Sequence, residues 1–348
     1  MPDDPATDGP VPHDLAPGED PTTGEDPAAG GRTPQQAVLD VRDEVAKLVV
    51  GQEGVLSGVV AALLVRGHVL LEGVPGVAKT LLVKALAASL DLEATRIQFT
   101  PDLMPSDVVG QSILDPGAGA GAFRFREGPV FTNLLLADEI NRTPPRTQSA
   151  LLEAMEERQV SADGVTRPLP DPFMVIATQN PIEYEGTYPL PEAQLDRFLF
   201  KLVVGYPSAE QEQVILQRHD EGQVPHDVSQ SAIRAVAGPA DLAAARAEVD
   251  AIRCDQQVLG YIVALVRATR SSPSLTLGVS PRGATMLLRA AKAWAWLSGR
   301  AFVTPDDVKA MARSTMRHRI ALRAEVELEG GTADGVLEGL LATVPVPR

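Results

Sequence analysis

The stretch Gly73-Val74-Pro75-Gly76-Val77-Ala78-Lys79-Thr80 limits what this chain can become more than any other. It follows an apolar, strand-like run, Val69-Leu70-Leu71, and precedes a helix-like run from Leu81 to Leu90. Strand, glycine-bearing loop, Lys-Thr and helix is the order of a phosphate-binding P-loop. The chemistry requires that order. Backbone N–H groups in the loop Gly73 through Leu81, Pro75 having none, can wrap phosphate oxygens, aided by the positive end of the helix dipole. Lys79 then reaches the β- and γ-phosphates, and the Thr80 hydroxyl ligates Mg²⁺. Ala78 departs from the usual pattern, since a glycine normally precedes the lysine. An ordinary Gly/Pro turn between strand and helix is the alternative, and the rest of the chain has to decide between them.

With 348 residues, 44% of them hydrophobic, the chain can bury one large domain or two of ordinary size. A formal charge of −15 argues against non-specific binding to nucleic acid or anionic membrane, though a local basic groove stays possible. The single cysteine, Cys254, excludes an intramolecular disulfide and a Cys-based zinc site. It is expected as a small buried hydrophobe in a reducing compartment. No apolar run approaches the roughly 18 residues of a membrane span. The N-terminus lacks a basic start and an apolar h-region, so the cytoplasm is the expected location. Residues 1–33 are rich in Pro, Gly, Asp and Glu and are read as a disordered acidic tail.

Order is expected from Pro34, where Val38, Val41, Val45 and Leu48 mark one helix face. A second helix carries Val55, Val59, Val60 and Leu63 after the Val50-Gly51-Gln52 break. An α/β part is predicted over 34–206 and a helical part, with its joining segment, over 207–348. Residues 109–126 read as two short strands around a flexible Asp115–Gly119 connection, either an edge hairpin or a binding loop. Asp163-Gly164 within 158–166 signals another hairpin. Ser208 with Gln211, and Thr304 with Asp307, are candidate capping boxes. Leu287, Ala291, Trp294 and Leu297 form a core stripe on the helix opened by Ser280-Pro281.

Five further residues carry chemistry. Leu134-Leu135-Leu136-Ala137-Asp138-Glu139 is a buried strand ending in two acids, at the sheet edge where open α/β folds bind ligands. Asp138 can hold the Mg²⁺ of a P-loop nucleotide, and Glu139 can orient and activate the attacking water. A helix-entry acid pair is the bland alternative. Asn180 ends another buried strand, Phe173–Thr178, and can meet the γ-phosphate or the water, or simply make a turn before Pro181. Arg197 either pairs with a nearby carboxylate or serves catalysis. Arg282 lies in the first turn of its helix, where a cation is mildly unfavourable; either an anion nearby explains it, or it is a surface arginine that needs no explanation.

These signals fall in one order, and the chain resembles a MoxR-family AAA+ ATPase. The likeness rests on Val50-Gly51-Gln52, the stretch 73–80, Ala137-Asp138-Glu139-Ile140-Asn141-Arg142, the Gln148–Glu157 run, Ala177-Thr178-Gln179-Asn180-Pro181, the Leu190–Phe198 run and Ser280-Pro281-Arg282-Gly283. Ala before the P-loop lysine is usual in that family. The likeness covers roughly residues 34–345.

The resemblance implies a five-stranded parallel sheet flanked by helices, followed by a helical lid, and rings, commonly hexamers, with ATP between neighbours. By position, Lys79 and Thr80 bind phosphate and Mg²⁺, Asp138 is the Walker B metal residue and Glu139 the catalytic base. Asn180 resembles sensor 1, Arg197 an arginine finger and Arg282 sensor 2. Gly51 and Gln52 would lie near the adenine. Residues 109–126 match the helix-2 insert and 158–166 the hairpin before sensor 1, loops that point toward the pore. The implied activity is ATP hydrolysis that remodels protein clients, often with a partner carrying a von Willebrand factor A domain. A metal-chelatase motor subunit, a nucleic-acid remodeller and a non-hydrolysing scaffold are the rival readings.

Overall fold

The computed structural model describes residues 32–74, 76–114, 123–180, 186–222 and 233–347. The acidic tail before residue 32, Pro75, the 115–122 connection, Pro181 and most of the 222–239 join lie outside the described residues.

Thr33 caps the first helix, α1 (Pro34–Ala46), by accepting a hydrogen bond from the Gln36 N–H at 3.1 Å. Helix α2 (Glu53–Leu64) leads into β1 (Val69–Gly73), α3 (Lys79–Ser89) and β2 (Ala94–Gln98). A short α4 (Pro105–Val109) precedes the hairpin of β3 (Gly110–Leu114) and β4 (Phe123–Glu127). Then come β5 (Leu134–Asp138), α5 (Pro145–Glu157), a hairpin of β6 (Gln159–Ala162) and β7 (Val165–Pro168), β8 (Met174–Gln179), α6 (Glu192–Leu195) and β9 (Phe200–Val204). The tight β6–β7 connection has left-handed backbone at Asp163 (φ 54°) and Gly164 (φ 74°), as a type I′ turn demands.

The five strands of the main sheet run in the order β2-β5-β8-β1-β9, and every neighbouring pair is parallel. Alternate residues enter different cores. Leu134, Leu136, Met174 and Ile176 face one hydrophobic cluster, while Leu135, Ala137, Val175 and Ala177 face the other. Burial on both faces is why these strands read as continuous apolar runs.

Helix α7 (Ala209–Asp220) begins with the reciprocal Ser208–Gln211 capping box. The helical part continues through α8 (Pro239–Ala251), α9 (Gln256–Ser271), β10 (Leu275–Leu277), α10 (Pro281–Leu297), α11 (Pro305–Met316), β11 (Ala321–Leu322), α12 (Ala324–Leu328) and α13 (Ala333–Thr343). Thr304 and Asp307 cap α11 reciprocally, as expected. Leu287, Ala291 and Leu297 of α10 are buried, with Trp294 packed partly against them. Cys254 is half-buried at the edge of that core rather than within it. The larger cluster is continuous from α1 and α2, through one sheet face, into α8–α11, and Thr33–Arg348 form one compact unit.

Candidate functional site

Strands β5, β8 and β1 lie side by side, so their carboxyl ends bring Asp138-Glu139, Asn180 and the P-loop to one edge. A cavity of about 460 Å³ opens there. Gly76, Val77, Ala78, Lys79, Thr80 and Leu81 form one wall, and Asp138, Glu139 and Asn180 face them. Gly73, just before the loop, is needed for close approach, because a Cβ there would stand 2.4 Å from the Val204 carbonyl oxygen. Gly76 has φ 86°. Ala78 has φ 58° and sits immediately before α3, which explains why glycine is usual at that position. A left-handed alanine costs about 1–2 kcal/mol.

Lys79 Nζ donates to the Gly73 carbonyl at 2.7 Å. Burial pushes its pKa down, and the Asp138 and Glu139 carboxylates pull it back up. Asp138 Oδ1 accepts from Thr178 Oγ1 at 2.6 Å, while Oδ2 accepts from Arg96 Nη2 at 2.7 Å and Nε at 3.1 Å. Glu139 has left-handed backbone, φ 57°, and its N–H donates to Thr178 Oγ1 at 2.9 Å. Its carboxylate accepts from Gln98 Nε2 at 2.7 Å and pairs with Arg142 Nε at 3.0 Å. Asn180 is buried at the end of β8, within the same cavity.

The Thr80 hydroxyl and the Asp138 carboxylate are hard oxygen donors in one cavity, and a cation, the Arg96 guanidinium, already rests on that carboxylate. This donor set suits Mg²⁺, which takes one or two protein oxygens and completes its shell from phosphate and water. Among the described residues no group of three or more His, Cys, Asp or Glu could hold a metal unaided.

Thr178, Arg96 and Gln98 escaped the sequence reading. Thr178 left a trace, as the one hydroxyl in the buried run Met174–Thr178. Arg96 and Gln98 alternate along the edge strand β2, and only the strand order reveals that they meet the acids of β5.

Gly51 and Gln52 do not line the P-loop cavity. They border a separate one of about 390 Å³ together with Gly205, Tyr206 and Arg317, and Gln52 Nε2 donates to the Gly205 carbonyl at 3.1 Å. Arg197 and Arg282 lie in a third cavity, of about 140 Å³. Both hold the same carboxylate: Arg197 Nε pairs with Glu156 Oε2 at 2.7 Å and Arg282 Nη1 with Oε1 at 2.9 Å. The Arg197 hydrogen bond, reinforced by Arg282, keeps the Glu156 carboxyl below its usual range against the effect of burial. Glu156 is thus the anion expected near Arg282. The Arg197 segment is tied to the helical part, since the adjacent Asp196 accepts from the buried Arg319 Nε at 2.6 Å and from Ser280 Oγ, the cap of α10, at 3.3 Å.

Residues 68–200 match the family model described as ATPase family associated with various cellular activities (AAA), and residues 267–340 match the AAA lid domain. The uncharacterised Bacillus subtilis protein YeaC is 49% identical over 305 residues, covering 88% of this chain and 93% of its own length. Chaperone MoxR1 of Mycobacterium tuberculosis is 42% identical, covering 92% of this chain and 84% of its own. A crystal structure of a Cytophaga hutchinsonii protein superposes with a TM-score of 0.83 at 40% identity, covering 90% of this chain and 96% of that one. With the P-loop, the Asp-Glu strand end and the helical lid all in place, the chain belongs to the MoxR family of AAA+ ATPases.

Proposed function

We propose that this chain hydrolyses ATP in a homo-oligomeric ring, in which Arg197 and Arg282 of one copy complete the phosphate cavity of the next. One observation carries the reading: the two arginines sit together on Glu156 in a cavity other than the one that holds Lys79, Asp138 and Glu139. A second copy brings the two halves together. Lys79 and the backbone N–H groups of 73–81 hold the β- and γ-phosphates. Mg²⁺ held by Thr80 and Asp138 would offset phosphate charge. Glu139 takes the proton of the attacking water, Asn180 orients that water or the γ-phosphate, and the incoming guanidiniums stabilise charge on the transferred phosphoryl. Gly51 and Gln52 take the adenine side.

Mixing variants tests the shared site. Lys79→Ala and Arg197→Ala proteins are each expected to be inactive alone, and their mixture to recover phosphate release, because the intact P-loop of one meets the intact arginine of the other. Arg197→Ala turning over ATP like the unsubstituted protein would sink the assignment. Glu139→Gln should retain bound ATP, and normal steady-state turnover would refute its role.

The work done is remodelling of a protein client in the cytoplasm, with a von Willebrand factor A domain protein as partner. Exposed apolar side chains on the two hairpins, Leu114, Phe123 and Val165, support a protein-contacting face. Affinity capture with ATP-bound Glu139→Gln checks this; recovery of nucleic acid with no protein would favour the remodeller reading instead.

A further inference from the structure

Arg197 and Arg282 share their cavity with Arg66, Arg158 and Arg289, and among the described residues Glu156 is the one carboxylate lining it. Arg158 Nη2 donates to the Arg66 carbonyl at 2.8 Å, and Arg289 Nη2 donates to the Val65 carbonyl. Each guanidinium is thus anchored at the end of α2 by one nitrogen. A guanidinium has five N–H donors, so most of each fork is left for another acceptor. Among the described residues Arg66 pairs with the exposed Asp250, at 3.8 Å. Both oxygens of Glu156 are already committed to Arg197 and Arg282.

The crowding has an electrostatic signature. Burial lowers the pKa of Arg158 and of Arg289; Arg66 lowers the first further, and Arg158 the second. Asp171 and Asp250 oppose these effects only in part. His68 also lines the cavity and adds no charge there, because its Nδ1 accepts from the Val175 N–H at 2.9 Å, leaving Nε2 to donate to the Met155 carbonyl at 3.1 Å. Five guanidiniums around one carboxylate cost free energy that an entering anion would offset. Forks arriving from several elements suit an anion with oxygens in several directions, whereas the planar Glu156 carboxylate satisfies two. The cavity of about 140 Å³ is of the size that holds one small molecule.

We infer that this cavity is a binding site for a phosphate-class oxyanion, in which Arg158 and Arg289 act beside Arg197 and Arg282. The anion is either the terminal phosphate of a nucleotide on an adjoining copy, a source that rests on the function proposed above, or free inorganic phosphate.

The test uses the full chain carrying Lys79→Ala, so that its own P-loop does not report. Inorganic phosphate titrated by calorimetry should bind saturably, and Arg158→Lys or Arg289→Lys, which keep a donor for α2, should weaken it about tenfold or more. Because both arginines help to anchor α2, phenylglyoxal labelling read by mass spectrometry gives a second measurement without altering them. Phosphate should protect Arg158 and Arg289. Unchanged labelling of Arg158 and Arg289 both with saturating phosphate and, in assembled protein with Lys79 intact, with a non-hydrolysable ATP analogue would overturn the site, as would phosphate binding that is equally tight in the lysine variants. Protection by phosphate in the monomer identifies the free anion. Protection only in assembled protein with Lys79 intact and a non-hydrolysable ATP analogue identifies the neighbour's nucleotide. If Arg197→Ala hydrolyses normally yet Arg158 and Arg289 are protected, the shared-site reading fails and this site stands; the reverse pattern removes this site alone.

Discussion

The phosphate cavity and the arginine cavity hold charge in opposite ways. In the first, Lys79 and Arg96 stand against Asp138 and Glu139, so cations and carboxylates match. In the second, five guanidiniums surround Glu156. A matched site can form a new ion pair by releasing an old one, which suits binding and release of a charged substrate. An unmatched site gains only when negative charge reaches it, which suits stabilising charge that develops late.

The largest test of this contrast is Arg197→Ala. Hydrolysis should fall by about 10³ or more, with nucleotide affinity unchanged in a fluorescent-nucleotide titration. Lost affinity would break the contrast by placing Arg197 in its own copy's nucleotide site. Within the matched cavity, Thr178→Ala removes the hydroxyl that holds both Asp138 and the Glu139 N–H. It should lower kcat about tenfold to a hundredfold, and an unchanged kcat would show that the acids are positioned without it.

Acid should act on the wall of the unmatched cavity. Burial pushes the His68 pKa down to about 4 from an ordinary 6.5. The unfolded chain therefore binds the proton more readily. The stability His68 contributes is complete above about pH 6.5 and is lost as pH falls toward 4, by about 2 kcal/mol at pH 5. His318 is also pushed down, chiefly by burial, so the readout is the difference between the unsubstituted protein and His68→Asn. Denaturant melts at pH 7 and pH 5 should show a smaller loss in the variant. The smallest effect belongs to the P-loop, where Ala78→Gly relieves a left-handed alanine and should raise stability by less than about 1 kcal/mol. A clear loss of stability would show that the alanine methyl contributes packing that outweighs its strain.

The two cavities also differ in how far they could be read in advance. Strands β1, β5 and β8 are buried on both faces, so their apolar runs announced the sheet, and the acids and Asn180 at their ends announced which sheet edge carries the P-loop cavity. The loop 73–81 is contiguous, and its chemistry is local. Arg66, Arg158 and Arg289 come from the end of α2, the end of α5 and the middle of α10, and nothing in their flanking residues marks them as neighbours. Thr178, Arg96 and Gln98 were hidden for a related reason, since each acts across a strand pairing. Gly51 and Gln52 stand at the start of α2, and the fold gives them a separate cavity beside Gly205.

The shared core has a mechanical consequence. Because one apolar cluster runs from α1 and α2 through the sheet into α10 and α11, swinging the helical part away would expose residues such as Leu63, Leu287 and Val308 to water. Each fully buried aliphatic side chain holds about 1.5–3 kcal/mol against that exposure. An internal hinge is therefore stiff, and Thr33–Arg348 behave as one lever. In the ring proposed above, strain created at the phosphates would have its softest outlet at the seam between copies, and a stroke made in one subunit would be delivered through the next.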